Sequence, residues 1–176
     1  MRTSRIVPTL IVACLVAGTS CSDSAPPTSP AGPAVAPPTL STLTGMIQRS
    51  ATKITPVLLI LDDGEQVDLE GPPTAELTGL EAAVVDVRGI WNSTTFLVSD
   101  FLVRQVDGAD VMDGVLIAMS IEDRDTGDVT YGLSLTRGPV VALENPPAEL
   151  TAHLGERVWV AASADGQPTA FGIIGR

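Results

Sequence analysis

The feature that most constrains the fold of this chain is a segment that occurs twice. Residues 59–73 (LILDDGEQVDLEGPP) recur 74 positions later as residues 133–147 (LSLTRGPVVALENPP), and a Glu-Leu-Thr tripeptide follows both. Each segment runs from a Leu-x-Leu strand end through a turn glycine and a Val-x-Leu strand to a proline pair. Such self-similarity predicts two copies of one β unit. Since about 65 residues is near the lower limit for independent folding, we expect contacts with the other copy to stabilise each copy.

Alternating apolar residues and turn glycines predict five strands in each copy. The first copy is predicted to have strands over residues 43–47, 57–61, 67–69, 81–89 and 95–106, and a helix over 74–80 with Thr74 as its N-cap. The second has strands over 114–121, 129–135, 139–143, 157–162 and 169–174, and a helix over 148–154. This order resembles the OB-fold, a five-stranded partly open barrel. The resemblance implies a mainly β chain of two tandem OB-like barrels, and it implies no particular activity.

The N-terminus has the pattern of an export signal. Arg2 and Arg5 precede an apolar run that ends in small residues before Cys21, and the run is too short to span a bilayer. Residues 17–24 (AGTSCSDS) resemble the end of a bacterial lipoprotein signal, which implies that residues 1–20 are removed and that Cys21 carries the lipid. Cleavage there leaves no second cysteine for an internal disulfide, so a free thiol is the remaining alternative.

A change of composition after Cys21 predicts a linker. Residues 22–39 are rich in proline, serine, threonine and alanine, a composition that favours extended, disordered chain of roughly 50 Å. We therefore divide the chain into a signal (1–20), a lipid anchor and disordered linker (21–39), a first OB-like copy (40–107) and a second (108–176). The lipid would tie the protein to the outer membrane of a diderm envelope, or otherwise to the outer face of the cell membrane.

The charge of the chain argues against nucleic acid as a partner. The full chain has a net charge of −11, and loss of Arg2 and Arg5 leaves 8 basic against 21 acidic residues, or −13. Such a surface repels phosphate backbones. An envelope protein or an oligosaccharide is the remaining kind of partner, although six aromatic residues are few for stacking on sugars.

The repeat also predicts which side chains face inward. Alternation in the second copy places Leu133 inside, so its equivalent Leu59 is inside and Leu58 and Ile60 face outward. By the same transfer Trp159 faces outward. Outward apolar residues mark a contact, which is either the seam between the copies or a surface for an external partner.

Few residues of this chain are candidates for metal binding or catalysis. Asp123, Asp125 and Asp128 are close enough along one turn to supply oxygens to a calcium ion, and a solvated acidic hairpin is the simpler interpretation. His153 is the only histidine, so a histidine metal cluster cannot form. No nucleophile elbow or phosphate loop is present. We therefore expect no cofactor and no enzymatic activity. The hypotheses are a binding module, a passive structural or assembly lipoprotein, and a divalent-cation-dependent module or small hydrolase.

Overall fold

The computed structural model describes residues 39–51, 57–121 and 129–175, which belong to one compact unit. The signal, Cys21, nearly all of the linker and the acidic turn with Asp123, Asp125 and Asp128 lie outside these residues. Within them the elements are β1 (Ser41–Arg49), β2 (Val57–Leu61), β3 (Gln66–Glu70), α1 (Thr74–Leu77), β4 (Val84–Asn92), β5 (Thr95–Val106), β6 (Ala109–Asp110), β7 (Met112–Ile121), β8 (Val129–Leu135), β9 (Val140–Leu143), α2 (Ala148–Thr151), β10 (Arg157–Ala162) and β11 (Pro168–Gly175).

The prediction of a mainly β chain is confirmed. Strands β2, β5, β8 and β10 begin and end at the predicted residues, and both helices are shorter than predicted. The N-cap prediction was wrong, because α1 is preceded by Pro73 as its cap residue. The Thr74 hydroxyl instead donates to the Gly71 carbonyl at 2.7 Å. Strand β6 was not predicted, since two residues are too short to show alternation.

The first sheet has six strands in the order β3-β2-β1-β4-β5-β6, and neighbours in this order are antiparallel. A further parallel pairing joins β3 to β5 and closes strands β1 to β5 into a ring. The inner side of the ring is filled by the larger core cluster, which includes Leu59, Leu69, Phe96 and Phe101.

The second sheet has five strands in the order β11-β10-β7-β8-β9. Each strand occupies the place of its counterpart in the first sheet, but among the described residues no strand pairing joins β9 to β11. A single hydrogen bond from Glu144 N to Gly166 O, 3.2 Å long, links β9 to the β10–β11 turn. Strand β11 begins with Pro168, which has no N–H to extend that contact.

The predicted inner positions are confirmed in both copies. Leu59 and Leu133 are fully buried in the two core clusters, and Leu69 and Leu143 are buried at the second pair of equivalent positions. The repeated Glu-Leu-Thr tripeptide contributes the only buried residue of each short helix, Leu77 in α1 and Leu150 in α2. The repeat in the sequence is therefore a repeat of core positions.

Strand registers extend the equivalence beyond the sequence repeat. Gly45 lies opposite Leu61 and Val85, and Gly114 lies opposite the equivalent Leu135 and Val158. A Cβ atom on Gly45 would collide with the Ile60 carbonyl, and one on Gly114 with the Ser134 carbonyl. Both copies therefore require glycine where the first strand crosses the second closely.

A β-bulge is also shared. One register shift in each hairpin skips a hydroxyl residue, Ser99 in β5 and Thr169 in β11. The Ser99 hydroxyl donates to the Arg88 carbonyl at 3.0 Å, and the Thr169 hydroxyl donates to the Ala161 carbonyl at 3.2 Å. The two bulges are thus equivalent, and they align the β4–β5 and β10–β11 hairpins residue by residue.

Candidate functional site

The most deeply buried charged group of the described residues is the carboxylate of Asp113 on β7, which is 3% exposed. Its Oδ1 accepts a hydrogen bond from the Thr136 hydroxyl at 2.8 Å and one from Arg157 Nε at 2.9 Å. Its Oδ2 accepts from Val103 N at 2.9 Å and from Arg157 Nη2 at 2.7 Å. Both oxygens are fully engaged, so the carboxylate is satisfied despite its burial.

Arg157 on β10 joins this carboxylate to the first copy. The guanidinium donates to the Phe101 carbonyl at 2.6 Å and lies 4.2 Å from the centroid of the Phe101 ring. Its Nη1 is 3.6 Å from a carboxylate oxygen of Glu76 in α1. Planar arginine suits such simultaneous stacking and bidentate pairing. Asp113 and Arg157 of the second copy thus hold β5 and α1 of the first, and we call this arrangement the junction.

Apolar contacts accompany the junction. Ile174 at the end of β11 is buried in the larger core cluster together with residues of the first sheet, and Trp159 packs against the same cluster. The Trp159 indole also covers Gly172 on the neighbouring strand, where a Cβ atom would collide with it. The second copy therefore contributes to the core of the first.

The junction is specific to the second copy. Register places Trp159 opposite Asp113, and the equivalent pair in the first copy is Asp86 opposite Thr44. That pair makes an exposed hydrogen bond of 2.8 Å from the Thr44 hydroxyl to the Asp86 carboxylate. Arg157 stands where the first copy has Val84. Since the first sheet forms without an aspartate–arginine pair at the positions of Asp113 and Arg157, this pair serves contact between the copies.

A groove of about 650 Å³ runs beside the junction, and residues of both copies line it. Its walls combine aliphatic side chains with charged and amide groups. Arg137 of the second copy is paired with Asp100 of the first at 2.9 Å, and Arg104 with Asp86 at 3.5 Å. We call this the junction groove; its lining is Thr44, Asp62, Val84, Leu102, Val103, Arg104, Gln105, Asp110, Val111, Met112, Asp113, Leu135 and Arg137.

The predicted contact residues have different environments. Trp159 is half-buried at the junction, a placement that matches the seam alternative. Leu58 is 6% exposed but belongs to neither core cluster, and Ile60 is half-buried. The structure does not bring Leu58 and Ile60 together with Trp159 in one cluster or groove.

The remaining candidate residues show no assembled chemical site. Among the described residues no group of three or more histidine, cysteine, aspartate and glutamate side chains could hold a metal ion. His153 is half-buried, with Nδ1 2.9 Å from a Glu156 carboxylate oxygen. Hydrogen bonds from the Ser163 hydroxyl and the backbone lower the pKa of the exposed Asp165 carboxyl below its ordinary value. In the described part of the chain, no helix has the length and apolar character to cross a membrane.

Sequence reasoning missed Asp113, Arg157 and Arg137. The sequence did contain a signal for Arg157. When the two copies are aligned on their Val-x-Val strands, Arg157 takes the position that the apolar Val84 has in the first copy. A charge that replaces a strand valine in one copy alone indicates a contact special to that copy.

Comparison of the chain with protein-family models, with curated proteins and with solved structures found no match.

Proposed function

We propose that this chain is an exported, lipid-anchored envelope protein without enzymatic activity, and that it binds a partner in the junction groove. The partner classes are an oligosaccharide and a segment of another envelope protein. The signal-like N-terminus and Cys21 support export and anchoring, and the groove supports binding. We further infer that both copies are OB-like barrels. The ring β1-β2-β3-β5-β4 with a helix between β3 and β4 supports this for the first copy, and the matching strand order supports it for the second.

The observation that carries the proposal is that both copies build the junction groove. Two independently moving domains would not keep a common wall, but here Asp113 and Arg157 tie the sheets together through three partners in the first copy. A binding surface with fixed walls binds at a lower entropic cost than one that must first be ordered. Mixed aliphatic and polar lining of this kind is typical of sites for polar ligands with an apolar face.

The environment of Asp113 supports a structural role for this residue rather than a catalytic one. A general base needs a carboxylate or imidazole with a free acceptor directed at the substrate. Both oxygens of Asp113 are already occupied by four donors, so this carboxylate acts as a structural acceptor.

Blocking the groove tests the binding proposal. Gln105→Trp places a bulky ring in the groove, and Gln66→Trp places the same ring on β3, away from it, as a matched control. A tagged chain comprising residues 40–176 is used to capture components of an envelope extract and to probe an oligosaccharide array. We expect Gln105→Trp to lose the bound species that the wild type and Gln66→Trp retain. Equal capture by both variants would contradict the proposal.

Anchoring is tested separately through Cys21. Cys21→Ala should release the protein from membranes into the extracytoplasmic soluble fraction, because acyl chains on that residue are the proposed attachment. The measurement is membrane fractionation together with the intact mass of the wild-type protein. An unmodified Cys21 in the wild type would contradict lipid anchoring and leave the groove proposal unaffected.

A further inference from the structure

A row of apolar side chains continues the junction groove across the outer face of the first sheet. Met46 on β1 lies opposite Ile60 on β2 and Val84 on β4, so the three side chains share one face. Val84 lines the junction groove, and so does Thr44, which is two residues before Met46 and therefore on the same face. Met46 is 43% exposed, and Ile60 and Val84 are half-buried. We call Ile60, Met46 and Val84 the methionine row.

The second copy shows that the fold does not require this row. The residue of β7 equivalent to Met46 is Val115, which lies opposite Ser134 on β8 and Arg157 on β10. The same three strands thus form with a hydroxyl group and a guanidinium beside the central residue. Exposed apolar residues that a fold does not need indicate a contact surface.

The charges that line the junction groove leave negative charge without a partner. Arg104 and Arg137 are each paired with a carboxylate, at 3.5 and 2.9 Å. Asp62 and Asp110 line the groove as well, and within the described part of the chain neither forms an ion pair with a basic side chain. The Asp110 carboxylate accepts one hydrogen bond, from the Gln105 amide at 2.7 Å. The complement of this surface in a ligand is therefore a basic group.

The apolar part of the surface suits a polypeptide better than a sugar. None of the groove residues and none of the three residues of the methionine row is aromatic, whereas ligands with ring faces commonly stack on aromatic side chains. Methionine is flexible and polarisable, and it adapts to the varied side chains of peptide ligands. Met112 also lines the groove, so two of the four methionines of the chain belong to this surface.

We propose that the ligand of the junction groove is an extended peptide segment of a partner protein, in which an apolar residue lies two positions from a lysine or arginine. This inference rests on the proposed function and narrows its partner to one class. The apolar side chain contacts Met46 between Ile60 and Val84, and the basic side chain lies near Asp62. Asp62 is two residues beyond Ile60, about 7 Å along the chain, which matches the spacing of alternate side chains in an extended peptide.

Selection from a peptide library tests this proposal. The full chain, immobilised through a C-terminal tag, is exposed to a phage-displayed library of random peptides, and fluorescence anisotropy measures the affinity of the selected sequences as synthetic peptides. We expect these peptides to carry the apolar and basic residues, and Met46→Asp to weaken their binding roughly ten-fold. Met119→Asp is the matched control, since Met119 is similarly exposed (46%) on β7 of the second copy. It should leave the affinity unchanged.

Charge reversal gives a readout that misfolding cannot produce. Asp62→Lys should change the selected charged residue from basic to acidic, whereas Asp63→Lys, at the next position and outside the groove lining, should not. An unchanged preference in Asp62→Lys, or full affinity in Met46→Asp, would overturn the proposal.

The outcomes also separate this proposal from the proposed function. Selection of no peptide would overturn the peptide proposal alone if an oligosaccharide bound the wild type and not Gln105→Trp. Peptides that Gln105→Trp retains would contradict binding in the junction groove as well.

Discussion

The two copies share a strand order and differ in how much core each contains. Among the described residues the first core cluster holds fifteen buried residues and the second holds six, and one of the fifteen, Ile174, comes from the second copy. The first sheet closes through a β3–β5 pairing, whereas one hydrogen bond stands at the equivalent place in the second. The two copies therefore share one strand order, but the first has the larger core and the closed sheet.

The difference explains the junction. Six buried residues are few for a unit of this size, because small domains bury too little apolar surface to fold with a large margin. The second copy obtains further burial by placing Ile174 in the first core cluster and by fixing Arg157 on the Phe101 ring. The second copy, which has the smaller core, is stabilised by its contact with the first copy. The same contact forms the junction groove.

Removing the junction cation should have the largest effect. Arg157→Ala leaves the Asp113 carboxylate buried without its cation, and the loss of one partner of a buried pair costs about 3 to 5 kcal/mol in the free energy of unfolding. Chemical denaturation measures this loss. The control is Arg137→Ala, whose ion pair with Asp100 is more exposed and should contribute at most about 1 kcal/mol. Similar losses in both variants would mean that the junction is no stronger than a surface contact.

Truncating equivalent leucines should show whether the copies unfold together. Leu59→Ala and Leu133→Ala each remove a fully buried side chain, and each should cost about 2 to 5 kcal/mol. If the junction couples the copies, both variants shift one cooperative transition, followed by near-ultraviolet circular dichroism and by the fluorescence of Trp91 and Trp159. Two separate transitions, with Leu133→Ala lowering only one, would show that the copies are independent.

A smaller effect is expected where the copies differ by one methyl group. Ala82 and Gly155 occupy equivalent turns, which accept and donate the same backbone bonds to Ile47 and Leu116, and both have positive φ (67° and 85°). Gly155→Ala should destabilise by about 1 kcal/mol, since a Cβ atom disfavours this conformation.

The reciprocal change and a control complete this comparison. Ala82→Gly should be neutral or slightly stabilising, because relief of the left-handed strain offsets the entropy of glycine. Gly79→Ala is the control, since Gly79 is not among the residues with positive φ and has no close contact that a Cβ atom would violate. Equal effects of Gly155→Ala and Gly79→Ala on the thermal midpoint would contradict a conformational origin.

Local patterns predicted what depends on neighbouring residues in the chain. Alternation identified Leu133, and by the repeat Leu59, as inner residues, and both are fully buried. The shared bulge at Ser99 and Thr169 was not predicted, because a hydroxyl residue in a strand resembles any outward polar position. Thr74 was predicted as a helix cap because the sequence does not show the partner of its hydroxyl. In the structure this hydroxyl donates to the Gly71 carbonyl.

The sequence by itself determined that the chain holds two β copies and that Leu59 and Leu133 face the interior, because a period of two is a property of neighbouring residues. Only the tertiary structure decided that Asp113 and Arg157, 44 positions apart, meet with Val103 and Phe101 of the other copy. Their hydrogen bonds depend on how the two sheets pack. No local pattern encodes that placement, because a charged residue on a strand has the same spacing whether it faces water or a neighbouring sheet.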